Sequence, residues 1–437
     1  MKKLICLVLL ILLLCSCSQE KQAEVTTQAE IQSQPIVEHE YGFSLVNAPE
    51  SDIESSPFDV DLGLWFGFET YTPAAQTDGC LYYIVENANS NMIYCYDRET
   101  EEATSLCKKE NCNHDSKECP FYGELKMGVE MLNCYNGKLW WVSGEKLYSC
   151  DLDGSDTALV RDLGDEFINE AIIHRGYLYF KVQDSEMEGI TSAYMGYLLK
   201  RVPLEDPAAP IETIFHKVAN RGENWSGEFV PCGDMVYIII YEVSRKSEYD
   251  YLYRYDAISG GEAELLYSGD LGEAMGVSPE GEMRYEYQNG IYRFNEESRA
   301  PELVFRIPED DENLCRGSVY FANDAIVLED SSGYENGTSI GYSIYSYNGV
   351  LISKGAFKDI EGLTPPETEN CFVHYMGTTS DRLFFTLYFA SGNTYTKGPK
   401  NETYTFIAEF PKFEESTPRM IYSYHYIYTG DTTIKLK

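Results

Sequence analysis

Four soft metal ligands fall within thirteen residues of this chain: Cys107, Cys112, His114 and Cys119. Zinc takes thiolate and imidazole ligands in a tetrahedron, and three cysteines with one histidine would fill a closed structural site that leaves no position for catalysis. The spacing differs from that of a standard zinc knuckle, with four residues between the first two cysteines and one between Cys112 and His114. In an exported chain two of these cysteines pair equally well as a disulfide. Either way the segment acts as a staple, and structural zinc is the only cofactor the sequence suggests.

Other residues invite chemistry less strongly. Asp151-Leu-Asp153-Gly154-Ser155-Asp156 sets three carboxylates within six residues, but its glycine stands fourth where a calcium-binding hand needs it sixth, so a tight turn between strands is the better reading. Cys80, Cys95, Cys134, Cys150, Cys232, Cys315 and Cys371 sit in apolar strand-like runs and are expected to be small buried residues. There is no His-Glu-x-x-His, Walker loop or dinucleotide fingerprint, and the histidines at 39, 114, 174, 216, 374 and 425 are scattered. No catalytic residue is assigned and no enzymatic activity is expected. A carboxylate pair of the glycosidase kind leaves no linear motif, so a carbohydrate-active enzyme stands as the alternative. Trp65, Trp140, Trp141 and Trp225 are the aromatics that would stack on sugars or peptides, although core packing is the commoner fate of a strand tryptophan.

Leu14-Cys15-Ser16-Cys17 ends an apolar run, Leu4 to Cys15, that follows Met1-Lys2-Lys3. Twelve apolar residues are too few to cross a bilayer, which takes about 20, so the run reads as the core of a signal peptide. Its end resembles a lipobox, which implies cleavage before Cys17 and lipid on the Cys17 sulfur. The expected organisation is a lipoprotein signal peptide over 1–16, the lipidated Cys17 with a flexible acidic tether over 17–57, and a folded domain over 58–437. The tether is rich in Gln, Glu, Ser and Thr and has no sustained periodicity.

With 71 acidic and 34 basic residues the chain carries a formal charge of -37. A phosphate backbone is bound by clustered Lys and Arg, so nucleic acid is excluded as a partner. The same charge repels an anionic membrane surface, which leaves the lipid anchor as the membrane contact. A hydrophobic content of 43%, with 36 Tyr and 34 Gly, supplies a packed core of strands and turns.

The strands that must hold these residues recur as a unit: a turn, a strand, a variable loop, an aromatic strand, a polar turn and a third strand. The clearest copies are Asp78-Gly79-Cys80-Leu81-Tyr82-Tyr83 leading to Ile93 through Asp97, and Asn136-Gly137-Lys138-Leu139-Trp140-Trp141 leading to Leu147 through Asp151. Five weaker copies start near Gly176, Gly233, Gly281, Asp324 and Asp381, at spacings of 39 to 58 residues. A four-stranded sheet of about 40 to 50 residues cannot bury both faces alone, so the period predicts a β-propeller, with seven blades counted and six to eight allowed. Extra strands at Leu62 to Tyr71 and Tyr422 to Tyr428 would close the ring or add a blade. Long loops between the two middle strands, as at Tyr241 to Asp250 and Ser331 to Ser339, would gather on one rim. Two sandwiches in series also suit short strands, but the repetition favours the propeller.

The lipobox, the acidic tether, the repeated turn-strand units and the Cys107 to Cys119 cluster together resemble an uncharacterised group of propeller-type bacterial lipoproteins, and more broadly the TolB-like and quinoprotein-like propellers. The tryptophan-docking repeats of quinoproteins are not evident here. The resemblance implies a lipid-anchored propeller on the extracytoplasmic face of the cell membrane. Its expected role is a binding or interaction module for a glycan, peptide or protein.

Overall fold

The computed structural model describes residues 74–435 apart from single residues and short segments, the longer of which are 113–118, 185–195, 243–249, 308–315, 331–340, 357–369, 392–400 and 412–418. From residue 370 onward it describes strand backbone only. The signal peptide, the tether, Cys17, His114, Trp65, Cys315, the Leu62 to Tyr71 strand and most of both long loops lie outside the described residues.

Among the described residues every regular element is a β-strand, and these strands form seven antiparallel sheets in chain order. The first holds β1 (Ala74–Gln76), β2 (Cys80–Asn87), β3 (Ser90–Asp97), β4 (Glu102–Ser105) and β5 (Gly123–Glu124). The second holds β6 (Val129–Tyr135), β7 (Lys138–Ser143), β8 (Lys146–Asp151) and β9 (Ala158–Asp162). The third holds β10 (Ile168–His174), β11 (Tyr177–Asp184), β12 (Gly196–Pro203) and β13 (Glu212–Lys217). The fourth holds β14 (Trp225–Cys232), β15 (Met235–Glu242), β16 (Asp250–Asp256) and β17 (Glu264–Gly269). The fifth holds β18 (Met275–Val277), β19 (Met283–Tyr287), β20 (Gly290–Asn295) and β21 (Ala300–Arg306). The sixth holds β22 (Arg316–Phe321), β23 (Ile326–Asp330), β24 (Gly341–Tyr345) and β25 (Leu351–Ala356). The last holds β26 (Asn370–Thr378), β27 (Arg382–Ser391), β28 (Asn401–Pro411), β29 (Arg419–Tyr428) and β30 (Thr433–Lys435).

Each sheet is a meander whose first strand lies beside the first strand of a neighbour: β1 by β6, β6 by β10, β14 by β18, β18 by β22. The ring closes where β1 meets β26. This is the radial stacking of a β-propeller. Burial follows position in the blade. The first strands are packed on both faces, as in the Trp225–Cys232 run, whereas the fourth strands β9 and β25 are exposed or half-buried throughout and carry charge, which blunts their open edges.

Four of the seven sequence anchors, Gly79, Gly137, Gly176 and Gly233, fall in the turn between a sheet's first and second strands, and Gly281, Asp324 and Asp381 lie outside the described residues. At Asn136-Gly137 both residues have positive φ, 49° and 70°, the type I′ hairpin that Asn-Gly favours. Arg175-Gly176 adopts the same turn at 47° and 76°. The count of seven like blades is corrected in one respect. Six sheets share one build of short strands, β5 being a continuation of the edge begun by β4. The last has strands of nine to eleven residues and a fifth strand. Tyr422 to Tyr428 lies within β29, so it extends that final sheet instead of closing the first.

Candidate functional site

The cysteine cluster lies on an insertion in the outer edge of the first sheet. β4 pairs with β3 from Asp97↔Glu102 to Tyr94↔Ser105, and the Leu106 amide still donates to the Ile93 carbonyl at 3.0 Å. The chain then leaves the edge and returns as β5, pairing Asn91↔Gly123 and Ser90↔Glu124. Residues 106–122 are therefore an excursion whose two ends stand two residues apart on β3, at Ile93 and Asn91. Pinning the ends of a loop costs closure entropy, and the neck is where a cross-link recovers most of it.

The neck is built from both sides. Leu106, Cys107, Cys119 and Phe121 are buried in the core shared by the first two sheets. Phe121 packs on Trp141 at 5.6 Å between ring centroids, and Trp141 stacks on Tyr148 at 5.5 Å. The turn after β8 presses on the other side: Gly154, at φ 86°, approaches Leu106 so closely that a Cβ would collide with its carbonyl. That turn is the Asp151 to Asp156 run. Its backbone closes through Asp151 and Ser155 at 2.8 Å, Lys138 pairs with Asp151 at 2.9 Å, and Asp153 accepts from the Ser155 amide at 2.9 Å. The tight-turn reading accounts for these carboxylates.

The sulfurs of Cys107, Cys112 and Cys119 all lie within 4.8 Å of one another, with Cys107 and Cys119 buried and Cys112 half-buried. The Cys107 amide donates to Ser105 Oγ at 3.2 Å, and the Cys112 amide closes a turn onto the Lys109 carbonyl at 3.2 Å. Burial, with hydrogen bonds from the neighbouring thiols, pushes the Cys119 thiol up to about 12, against a backbone amide of Phe121 that favours the thiolate. None of the eight described cysteines is in a disulfide. The structure thus brings together three of the four expected ligands.

The remaining described cysteines divide. Cys134, Cys150 and Cys232 are buried as expected, and burial lifts Cys150 to about 12 and Cys232 to about 11. Cys80 and Cys95 instead are half-buried and face each other diagonally across β2 and β3, beside the register pairs Cys80↔Asp97 and Tyr82↔Cys95. A hydrogen bond from Cys95 is the main cause that lowers Cys80 to about 7, and the same bond raises Cys95.

A second polar site was not legible in the chain. Glu170 on β10 and Glu228 on β14 each stand four residues before the end of their sheet's first strand, so they meet between the third and fourth sheets. Lys181 on β11 lies 2.8 Å from Glu170 and donates to the Gly227 carbonyl at 3.0 Å. Burial, reinforced by Glu170's charge, lifts the Glu228 carboxyl to about 8, and the two carboxyl groups share a hydrogen bond. Desolvation works against the Lys181 ammonium, yet the charges of Glu170 and Glu228 hold it charged. Tyr197 is buried beside them and is raised, first by burial and then by the two carboxylates. The signal in the sequence was a single Glu inside each of two otherwise apolar strands.

Trp140, Trp141 and Trp225 are all buried, so the sugar-stacking role does not fall to them. His174 is buried against the Gly233 carbonyl at 2.7 Å. Gly337-Thr-Ser-Ile-Gly341 has the spacing of a nucleophile elbow, but it runs into β24, whereas that elbow leads from a strand into a helix. Residues 337–340 lie outside the described residues.

No protein-family model matches this chain. No curated protein matches it either. Among solved structures it is similar to a puromycin hydrolase at 11% identity and a TM-score of 0.48, covering 81% of this chain and 54% of that one. It is similar to the acylaminoacyl peptidase of Pyrococcus horikoshii at 12% identity and 0.49, covering 82% and 52%. It also resembles KlAtg21, solved in complex with the coiled coil of AgAtg16, at 10% identity and 0.43, covering 82% and 99%. The chain spans about half the length of the two hydrolytic enzymes it matches.

Proposed function

We propose that this chain is a lipid-anchored propeller on the extracytoplasmic face of the cell membrane, where it binds a ligand or a protein partner and catalyses no reaction. The observation that carries the binding role is the 106–122 excursion. It leaves the edge of the first sheet, its neck is gripped by Leu106, Cys107, Cys119 and Phe121, and it presents Lys108, Lys109 and Glu110 to solvent. Binding elements are commonly loops positioned by a rigid scaffold. The lipobox-like end of the apolar run supports the anchor through Cys17, and the net charge of -37 argues for a partner other than nucleic acid. Glycan, peptide and protein remain the ligand classes.

The test is crosslinking in intact cells, comparing the native chain with one in which residues 108–118 are replaced by a short Gly-Ser link. Loss of crosslinked partners with an unchanged melting temperature supports the reading, and an unchanged crosslinking pattern overturns it. Mass spectrometry of the N-terminal peptide reads the anchor separately: an unmodified Cys17 removes it.

A carbohydrate-active enzyme is the second reading, and Glu170 with Glu228 is the observation that raises it. Glycosidase carboxylates stand about 5 Å apart or more to admit the sugar or a water. Here the two groups hydrogen-bond each other and are nine-tenths buried, an arrangement suited to holding a proton. Hydrolysis products from candidate glycans would reinstate the enzyme.

A further inference from the structure

We propose that Cys107, Cys112 and Cys119 bind one zinc ion as thiolates, and that the metal locks the neck of the 106–122 excursion. Three sulfurs around zinc at about 2.3 Å stand about 3.8 Å from one another. The observed triangle, every edge within 4.8 Å, needs at most about an ångström of closure on any side. A disulfide would use two of the three sulfurs and leave the third as a thiol packed against the bond. Convergence of all three is what a metal requires and a disulfide does not.

The donor set suits a soft cation. Soft sulfur donors in a tetrahedral arrangement select zinc over magnesium or calcium, which prefer oxygen. Binding is an exchange of protons for metal: three thiols release three protons as three zinc-sulfur bonds form, with no change of oxidation state. Three thiolates leave the fourth position of the tetrahedron to a donor beyond them.

The energetic role follows from topology. Cys107 and Cys119 stand near the two ends of the excursion, so the ion would bridge them and hold Cys112 between. This inference concerns the neck alone. Metal content and partner capture are read by different measurements, so either can fail while the other stands.

The full chain, purified in detergent under reducing conditions and dialysed against zinc, should carry one zinc per molecule by elemental mass spectrometry. Replacing zinc with cobalt should produce thiolate-to-cobalt charge-transfer absorption and the visible bands of tetrahedral cobalt. Cys112→Ser should lose both signatures, and Cys232→Ser, which removes a buried thiol elsewhere, should keep them. Should Cys112→Ser fail to fold, titrating the native chain with an organomercurial in the presence of a chromogenic chelator gives the same reading, with zinc released as the thiols react. A folded, reduced chain that binds neither metal overturns the proposal. So does a chain two hydrogens lighter with a linked Cys107–Cys119 peptide after purification with zinc present.

Discussion

Lys181 reaches across the boundary between two sheets: its ammonium group lies 2.8 Å from Glu170 on the neighbouring strand of its own sheet and donates to Gly227 of the next at 3.0 Å. Glu228, one residue on from Gly227, completes the group. One cation thus serves two buried carboxyl groups, and the surplus negative charge is met by leaving Glu228 protonated. Removing one partner of a buried ion pair leaves an uncompensated charge and costs about 3–5 kcal/mol. Lys181→Met should therefore lower unfolding free energy by about that amount in a denaturant titration at neutral pH. A loss under about 1 kcal/mol would place the pair in solvent.

Glu228 also sets a pH dependence. Its carboxyl is raised from an ordinary 4.5 to about 8 in the folded protein, so between those values the folded chain holds a proton that the unfolded chain has released. The stability this confers is fully present below about 4.5 and is lost as pH rises to about 8, a change on the order of a few kcal/mol. Glu228→Gln keeps the hydrogen bond without the titration. Its stability should fall less between pH 5 and pH 8 than that of the native chain (roughly the window above), as read by denaturant midpoints across that range.

Cys80 should be the most reactive thiol among the described cysteines. With its thiol near 7 it is largely thiolate under mildly alkaline conditions, while Cys150 near 12 stays protonated and buried. Alkylation of the folded chain followed by peptide mass analysis should label Cys80 first, with a rate that rises to half its plateau near pH 7. Cys95→Ser weakens the hydrogen bond that stabilises the Cys80 thiolate, so the midpoint should move upward.

Two arginines repeat one device around the ring. Arg201 on β12 donates to the Ala257 carbonyl in the next sheet at 2.7 Å and to Glu212 at 2.8 Å, with its guanidinium 4.6 Å above the Tyr177 ring. Arg254 on β16 reaches Glu296 in the sheet after that at 2.7 Å. Arg201 is the more buried of the two. Arg201→Lys keeps the charge and loses the planar fork, and should cost about 1–3 kcal/mol, whereas Arg254→Lys should cost under about 1. Equal effects in thermal unfolding would mean that the ring is not held by this fork.

Gly154→Ala should loosen the excursion without unfolding the propeller. A Cβ there meets the Leu106 carbonyl, and the positive φ adds strain of about 1 kcal/mol. Limited proteolysis should cut within 106–122 sooner than in the native chain, with the far-ultraviolet spectrum unchanged.

Sequence alone determined the blade. Turn residues with positive φ, such as Asn136-Gly137, and aromatic strands after them are local signals, because hairpin geometry depends on a few adjacent residues. The cysteine cluster was equally legible, since its members are close in the chain. The tertiary structure decided what lies far apart. Glu170 and Glu228 are two among 71 acidic residues, and nothing local marks them as partners; only radial stacking sets equivalent strand positions of adjacent sheets against each other. The burial of Trp140 and Trp225, and the pairing of Cys80 with Cys95, were likewise settled by cross-strand and between-sheet contact. Nor did local pattern distinguish the last sheet, whose Asp381 copy resembles the others in sequence although its strands run to nine to eleven residues where those of the other sheets reach eight at most. Short-range patterns specify turns and strands, and the neighbours that give a side chain its charge state are chosen by the ring.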